Sequence, residues 1–345
     1  MRLRRTAASL AIAFAASALG AAPAAQAADG QQVVCRFSDD RLVEISGITW
    51  SRAHPGTYWV LNDSGGGPYL FAVDGSTCRT QARIRVAGVD ARDLEAIATG
   101  VDPEGRPVLW VADIGDNRDS WPSVSLHTVR EPARLVDQEV ASTAYQFTYP
   151  EGGTNAESLL ADPDRARLWV VTKGLAGGEL FRVPLSTSRV TTAVRVAGGV
   201  GGLTTDAAMS PDGTRFVIRD YLRAALYSAP VSAATLSDPT RVALPSQQQG
   251  EAVTFTRDGA ALFVASEGER ALWRVELPAG PTPSPTMSGE TTPSSATTSG
   301  SPAPSASSDE PSGAGGTEPW KLALAGVALA AAVGVGVAGA RRLRV

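Results

Sequence analysis

The stretch "RDLEAIATG", residues 92–100, sets an acid, Glu95, ahead of a short run of small and apolar residues. Similar wording returns along the chain: "TNAESLLADP" at 154–163, "TTDAAMSPDG" at 204–213, "QGEAVTFTRDG" at 249–259 and, more loosely, "EISGITWSRAHP" at 44–55. Aligned on Ser46, Glu95, Glu157, Asp206 and Glu251, the copies lie 49, 62, 49 and 45 residues apart. The longest gap holds an insertion, "REPARLVDQEVAS", at 130–142. Repetition at such a period points to a structural unit used several times over.

Each copy is followed by a turn and an aromatic-rich stretch: "TYWVLND", "VLWVADIGDN", "RLWVVTKG", "RFVIRDY" and "ALFVASEG". A third short stretch follows in every unit, for example "YLFAVD" and "ALWRVEL", and a fourth in the first four, for example "ARIRVAG". Alternation and enrichment in Val, Trp, Phe and Tyr predict strands throughout. Four strands per unit, repeated five times, predict an all-β fold: a five-bladed β-propeller of four-stranded blades. A six-bladed ring would need a sixth unit, and no sixth is legible. The fifth unit lacks a fourth strand of its own. The N-terminal "QQVVCRFS", at 31–38, is the strand left over, and it is expected to complete the last blade and close the ring. The chain has two cysteines, Cys35 on that strand and Cys78 in the first unit. In an exported protein they are expected to pair, the alternative being two free buried thiols, and the bond would lock the closure.

Export is read from the start of the chain. Arg2, Arg4 and Arg5 precede an apolar stretch and "AQA" at 25–27, which predicts a signal peptide over 1–27. Near the other end, "LALAGVALAAAVGVGVAGA" at 322–340 carries no charge. At about 1.5 Å per residue it would span about 28 Å, so a transmembrane helix is expected over 319–341. Arg341, Arg342 and Arg344 then place residues 342–345 in the cytoplasm. The expected location is the cell membrane, single-pass, with the N-terminal domain extracellular. All but five of the 40 residues at 279–318 are Ala, Gly, Pro, Ser or Thr. That segment has too little apolar surface to offset the entropy of ordering, and a disordered stalk is expected. The propeller body is left with residues 28–278. The net charge of −4 supplies no basic field, so nucleic acid is not an expected partner.

In a propeller the first strand of each blade lines the central channel. The start of strand one and the end of strand two then share a face. Ser46, Glu95, Glu157, Asp206 and Glu251 are therefore expected to converge at one channel mouth. The strand-two ends add Asn62, Asp63, Asp113, Asp116, Lys173, Arg219 and Glu267 further out as candidate ligand-binding residues. Converging carboxylates repel one another, which raises their pKa values or calls for a cation. Hard oxygen ligands suit Ca2+ or Mg2+. The competing reading has each acid capping backbone amides of the next blade. Lys173 and Arg219 would hold an anionic group, or are ordinary surface cations. "DIGDN" at 113–117 is too short for a calcium loop and reads as a tight turn. His54 is placed on the opposite face and His127 on a third strand, and no Gly-x-Ser-x-Gly elbow is present. These argue against a Ser-His-Asp hydrolase.

"SGITWSRAHPGTYWVLNDSG", "DLEAIA", "VADIGDN", "NAESLL" and "QGEAVTF…SEGE" together resemble exported actinobacterial propeller proteins described as WD40-like or phytase-esterase-like. The resemblance covers roughly residues 40–276 and implies a propeller. "EISGI", "DLEAI" and "NAESLL" are also similar in layout to the calcium-activated nucleotidases, or apyrases. That likeness implies a five-bladed ring with Ca2+ in its channel, held at Ser46, Glu95, Glu157 and Glu251, with Asp206 departing from the pattern. Two functions follow as expectations. One is a membrane-anchored module binding an extracellular ligand or protein. The alternative is a metal-dependent phosphoester hydrolase, in which the ion polarises a phosphoryl oxygen.

Overall fold

The computed structural model describes residues 30–63 and 66–278. The signal peptide, stalk and membrane span expected from sequence lie outside those residues. Among the described residues no helix is long and apolar enough to cross a membrane.

The described chain is all-β and propeller-like. It opens with β1 (Gln31–Arg36). The first unit is β2 (Ile45–Trp50), β3 (Thr57–Asn62), β4 (Tyr69–Asp74) and β5 (Thr80–Ala87). The second is β6 (Leu94–Val101), β7 (Pro107–Asp113), β8 (Val124–Val129) and β9 (Gln138–Thr148). The third is β10 (Ala156–Ala161), β11 (Leu168–Thr172), β12 (Gly178–Val183) and, after the two-residue β13 (Thr191–Thr192), β14 (Val194–Val200). The fourth is β15 (Thr204–Met209), β16 (Arg215–Asp220), β17 (Arg223–Ser228) and β18 (Thr240–Ala243). The last is β19 (Gln249–Phe255), β20 (Ala261–Glu267) and β21 (Ala271–Glu276). Each unit is an antiparallel meander, and β1 pairs with β21 to give the last one its fourth strand. The Cys35–Cys78 disulfide ties β1 to the first unit, as the sequence led one to expect.

The first strands of the units neighbour one another in turn, β2 to β6, β6 to β10, β10 to β15, β15 to β19 and β19 back to β2. They are buried from end to end, apart from exposed Gln249. Their sequences are short of bulk for that reason. A Cβ on Gly47 would stand 3.0 Å from the Ile97 backbone nitrogen of the next unit. Bulk is placed instead between the sheets. Five apolar layers form, each shared by two successive units and the last by the fifth unit and the first. Trp59 and Trp110 are fully buried in two of them. Burying a side chain of that kind stabilises by roughly 2–3 kcal/mol relative to exposure, so these layers hold the ring together.

The insertion does not approach the end of the ring where the acids lie. It lengthens β9, which runs parallel to β5 and joins the first two sheets. Glu131 in it accepts hydrogen bonds from the Arg52 and Ala53 amides (2.9 and 3.3 Å), Trp59 Nε1 (2.8 Å) and the Ser51 hydroxyl. His54 Nε2 lies 2.7 Å from the Pro132 carbonyl. Apart from Trp59, which lies on β3, these groups belong to the β2–β3 turn, at the far ends of the inner strands from the acids.

Candidate acidic site at the mouth of the ring

Every inner strand carries a register shift at one equivalent place. The residue passed over in pairing is Ser46 in β2, Glu95 in β6, Glu157 in β10, Thr205 in β15 and Glu251 in β19. A bulge adds one residue against the partner strand and re-aims its side chain. Of the five bulged residues, Ser46, Glu95, Glu157 and Glu251 line one cavity. Three of the five are acids, each the second or third residue of its strand, and Ser46 and Thr205 are hydroxyls.

The fourth unit corrects the sequence alignment. Thr205, not Asp206, occupies the equivalent position. Its hydroxyl donates to the Gly250 carbonyl (2.9 Å), just as the Ser46 hydroxyl donates to the Leu94 carbonyl (3.2 Å). Both acceptors immediately precede the acid of the next unit. Because side chains alternate along a strand, a slip of one residue sends Asp206 the other way. It is buried, and its carboxylate accepts from the amides of Ala207 (2.8 Å) and Val253 (2.7 Å). Burial raises its pKa well above the usual carboxylate range, against the pull of those two amides. Asp206 therefore caps backbone between units and does not face the cavity.

Arg219 is also diverted. It is fully buried and donates to the carbonyls of Asp220 and Ala252 and to Gln247 Oε1. Burial lowers its pKa to about 10, so it remains charged at neutral pH. It is a structural cation, with no access to a ligand at the mouth.

The remaining acids do meet. A polar cavity of about 190 Å³ is lined by Glu44, Ser46, Asp63, Glu95, Asn117, Glu157, Lys173, Gln249, Glu251 and Glu267. Six carboxylates thus face one ammonium. Lys173 Nζ donates to Glu157 Oε1 at 2.6 Å and sits 5.0 Å from the centre of the Tyr221 ring. Burial works against its charge, but the Glu157 carboxylate more than offsets this and the pKa is raised. Glu157 itself is shifted up by burial, with Lys173 opposing. Gln249 donates to Glu251 (3.0 Å) and to Glu267. Burial, then the charge of Glu157, pushes Glu251 up to about 8. Glu267 is raised by burial and by Asp63 and Glu44.

Asp93 was not among the residues expected from sequence. It lies just before β6, two positions from Glu95, and carboxylate oxygens of Asp63, Asp93 and Glu95 lie within 4.8 Å of one another. Burial, then Asp63, raises Asp93 to about 7. Glu95 is 5% exposed and is raised well above its ordinary value by burial, with Glu157, Asp63 and Asp93 adding to it. Asp113 and Asp116 do not line the cavity. Asp113 accepts from the Asp93 amide (2.8 Å), which holds the 92–93 segment in place. Asp116 accepts from the Trp121 amide (2.7 Å) and shapes its own loop. Asn62 turns away and donates to the Arg41 carbonyl (2.5 Å). Gly115 of "DIGDN" is required for space. A Cβ there would collide with the Asp93 and Glu95 carboxylates.

No protein-family model matches the chain, and no curated protein matches it. Two solved structures are similar to it in fold. One is a PQQ-bound aldose sugar dehydrogenase from Streptomyces coelicolor, 13% identical over 73% of this chain and 99% of that one, with a TM-score of 0.43. The other is an auxiliary nutrient binding protein from Bacteroides thetaiotaomicron VPI-5482, 8% identical over 71% and 75%, with a TM-score of 0.42. Neither likeness assigns a chemistry.

Proposed function

We propose that the chain is a membrane-anchored, extracytoplasmic five-bladed β-propeller that binds a ligand or protein through its acidic mouth, with a divalent cation, Ca2+ or Mg2+, held there. The observation that carries the reading is the convergence of six carboxylates, of which Glu95, Glu157 and Glu251 are buried, on one small cavity against a single ammonium. Burying like charges is costly unless protons or a cation compensate them, and carboxylate oxygens suit a hard cation. At about 190 Å³ the cavity is smaller than the roughly 300–1,000 Å³ usual for organic ligands. It has room for an ion with waters, or for one group projecting from a larger partner, which favours a binding surface over an enclosed substrate pocket. Membrane anchoring rests on the apolar stretch at 322–340 and the arginines after it.

The test uses the full chain in detergent. Its melting temperature is compared in saturating Ca2+, in saturating Mg2+ and in chelator. A rise with metal is expected, and identical melting in all three would sink the cation. Phosphoester turnover in the same samples would replace the binding reading with the hydrolase. Protease treatment of intact cells checks location, since the body is expected to be cleaved from outside.

A further inference from the structure

We infer that the cation sits to one side of the mouth, on Asp63, Asp93 and Glu95, with Glu157 and Glu251 outside its ligand set. This rests on the proposed function and assigns its ion to particular side chains. It departs from the symmetric arrangement in which each unit contributes its bulged residue.

The acids of the mouth are not equivalent. Glu157 is already paired with the Lys173 ammonium at 2.6 Å and accepts from Asn155 Nδ2 at 3.3 Å. A cation at Glu157 would lose attraction to that ammonium's repulsion. Glu251 accepts from the Gln249 amide, which also reaches Glu267. Glu95 differs from both. It is 5% exposed, it faces the cavity, and no described residue donates a hydrogen bond to its carboxylate. A buried carboxylate without a donor is costly, and a positive ion removes that cost.

The groups around Glu95 fit such an ion. Asp63 and Asp93 bring carboxylate oxygens within 4.8 Å of its own and of each other. Three oxygens 4.8 Å apart lie about 2.8 Å from their common centre, so the trio closes on Ca2+, with ligands at about 2.3–2.6 Å, by a shift of a few tenths of an ångström and on Mg2+ by a larger one. The surrounding residues hold the ligands in place. The Asp63 amide donates to the Glu44 carbonyl (2.9 Å). Asp113 accepts the Asp93 amide (2.8 Å), and Asn117 Nδ2 donates to Asp93 Oδ2 (3.2 Å). Supporting contacts of this kind fix ligand geometry at metal sites. Gly115 leaves the space the two carboxylates occupy. Lys173 stands at the Glu157 side of the cavity.

The experiment titrates the full chain with Ca2+ alone, and then with Mg2+ alone, by calorimetry. Asp93→Asn and Glu95→Gln are each expected to raise Kd by about tenfold or more, on the scale known for disturbed metal sites. Glu157→Gln and Glu251→Gln are expected to raise it by clearly less than Glu95→Gln does, because they remove a neighbouring charge and no ligand. Loss of affinity in Glu157→Gln or Glu251→Gln equal to that in Glu95→Gln overturns the placement and leaves a cation on the ring axis. No saturable binding by the unaltered chain overturns the cation of the proposed function as well. Circular dichroism and melting establish that each variant folds. Should Asp93→Asn or Glu95→Gln fail to fold, Asp63→Asn carries the same expectation.

Discussion

Glu251 makes the stability of the fold depend on pH in a direction that one substitution isolates. Burial and the neighbouring Glu157 raise its carboxyl from 4.5 to about 8 in the folded chain. The folded state therefore holds a proton that the unfolded state has released. A group raised in this way contributes its stability at low pH, and the contribution is lost as pH rises from 4.5 through 8. At about 1.4 kcal/mol per pH unit, the span corresponds to about 5 kcal/mol, of which relaxation around the site would leave a good part. Gln at this position cannot ionise and keeps the neutral form at every pH. Urea denaturation of the full chain and of Glu251→Gln, in chelator from pH 4.5 to 9, measures the effect. The two are expected to agree near pH 4.5. The variant should become the more stable by a few kcal/mol above pH 8. A difference between them that does not change with pH would refute the reasoning, because it would mean that Glu251 stays ionised in the fold.

Other outcomes follow from the same structure. Asp206→Ala leaves the Ala207 and Val253 amides without their acceptor and removes the largest of three countercharges around Arg219, with Glu251 and Asp220 remaining, so a loss of about 2–4 kcal/mol is expected in denaturation, with Ca2+ affinity unchanged. Replacing Cys35 and Cys78 together by Ser frees a loop of separation 43 in the unfolded chain, and should cost about 4 kcal/mol in urea titrations of the oxidised protein. Glu131→Ala removes the acceptor of three donors in the β2–β3 turn and of Trp59 Nε1 on β3. It should lower stability by about 2–3 kcal/mol while leaving the mouth's calorimetric titration as it was. Gly115→Ala should weaken Ca2+ binding and lower stability together, since its Cβ would collide with the Asp93 and Glu95 carboxylates that their neighbours hold in place.

The repeating strands were legible because burial on both faces and alternation leave a pattern in residue type. The closing role of β1 was legible by subtraction, as one strand in excess beside one strand missing. The convergence of Ser46, Glu95, Glu157 and Glu251 could be read from their matching places in the repeat. Asp206 could not, because the bulge that sets which residue faces the mouth is a backbone feature with no residue signature. Thr205 and Asp206 are both polar, and acidity drew the alignment to the wrong one. Arg219 failed for a related reason. Its position at a strand end was correctly read, but its side chain folds back among carbonyls that only the packed neighbouring units provide. Asp93 precedes the strand, outside the pattern that marks the repeat. Its spacing of two from Glu95 was the available signal. Gly115 reads as a turn in one dimension and proves to be clearance for two side chains in three.

The closure of the ring also determines how the body would carry a load. β21 is not an edge strand, because β20 flanks it on one side and β1 on the other. Its last pairs, where Val275 meets Gln31, lie beside the point at which the chain leaves at Pro278. At the other end of β1, Cys35 is fastened to Cys78 in the first unit. A pull on Pro278 is thus borne by β20 and, through β1 and its covalent bolt, by the unit next door. Under such a pull the chain resists being peeled strand by strand from that end, and the tension is shared across the seam of the ring.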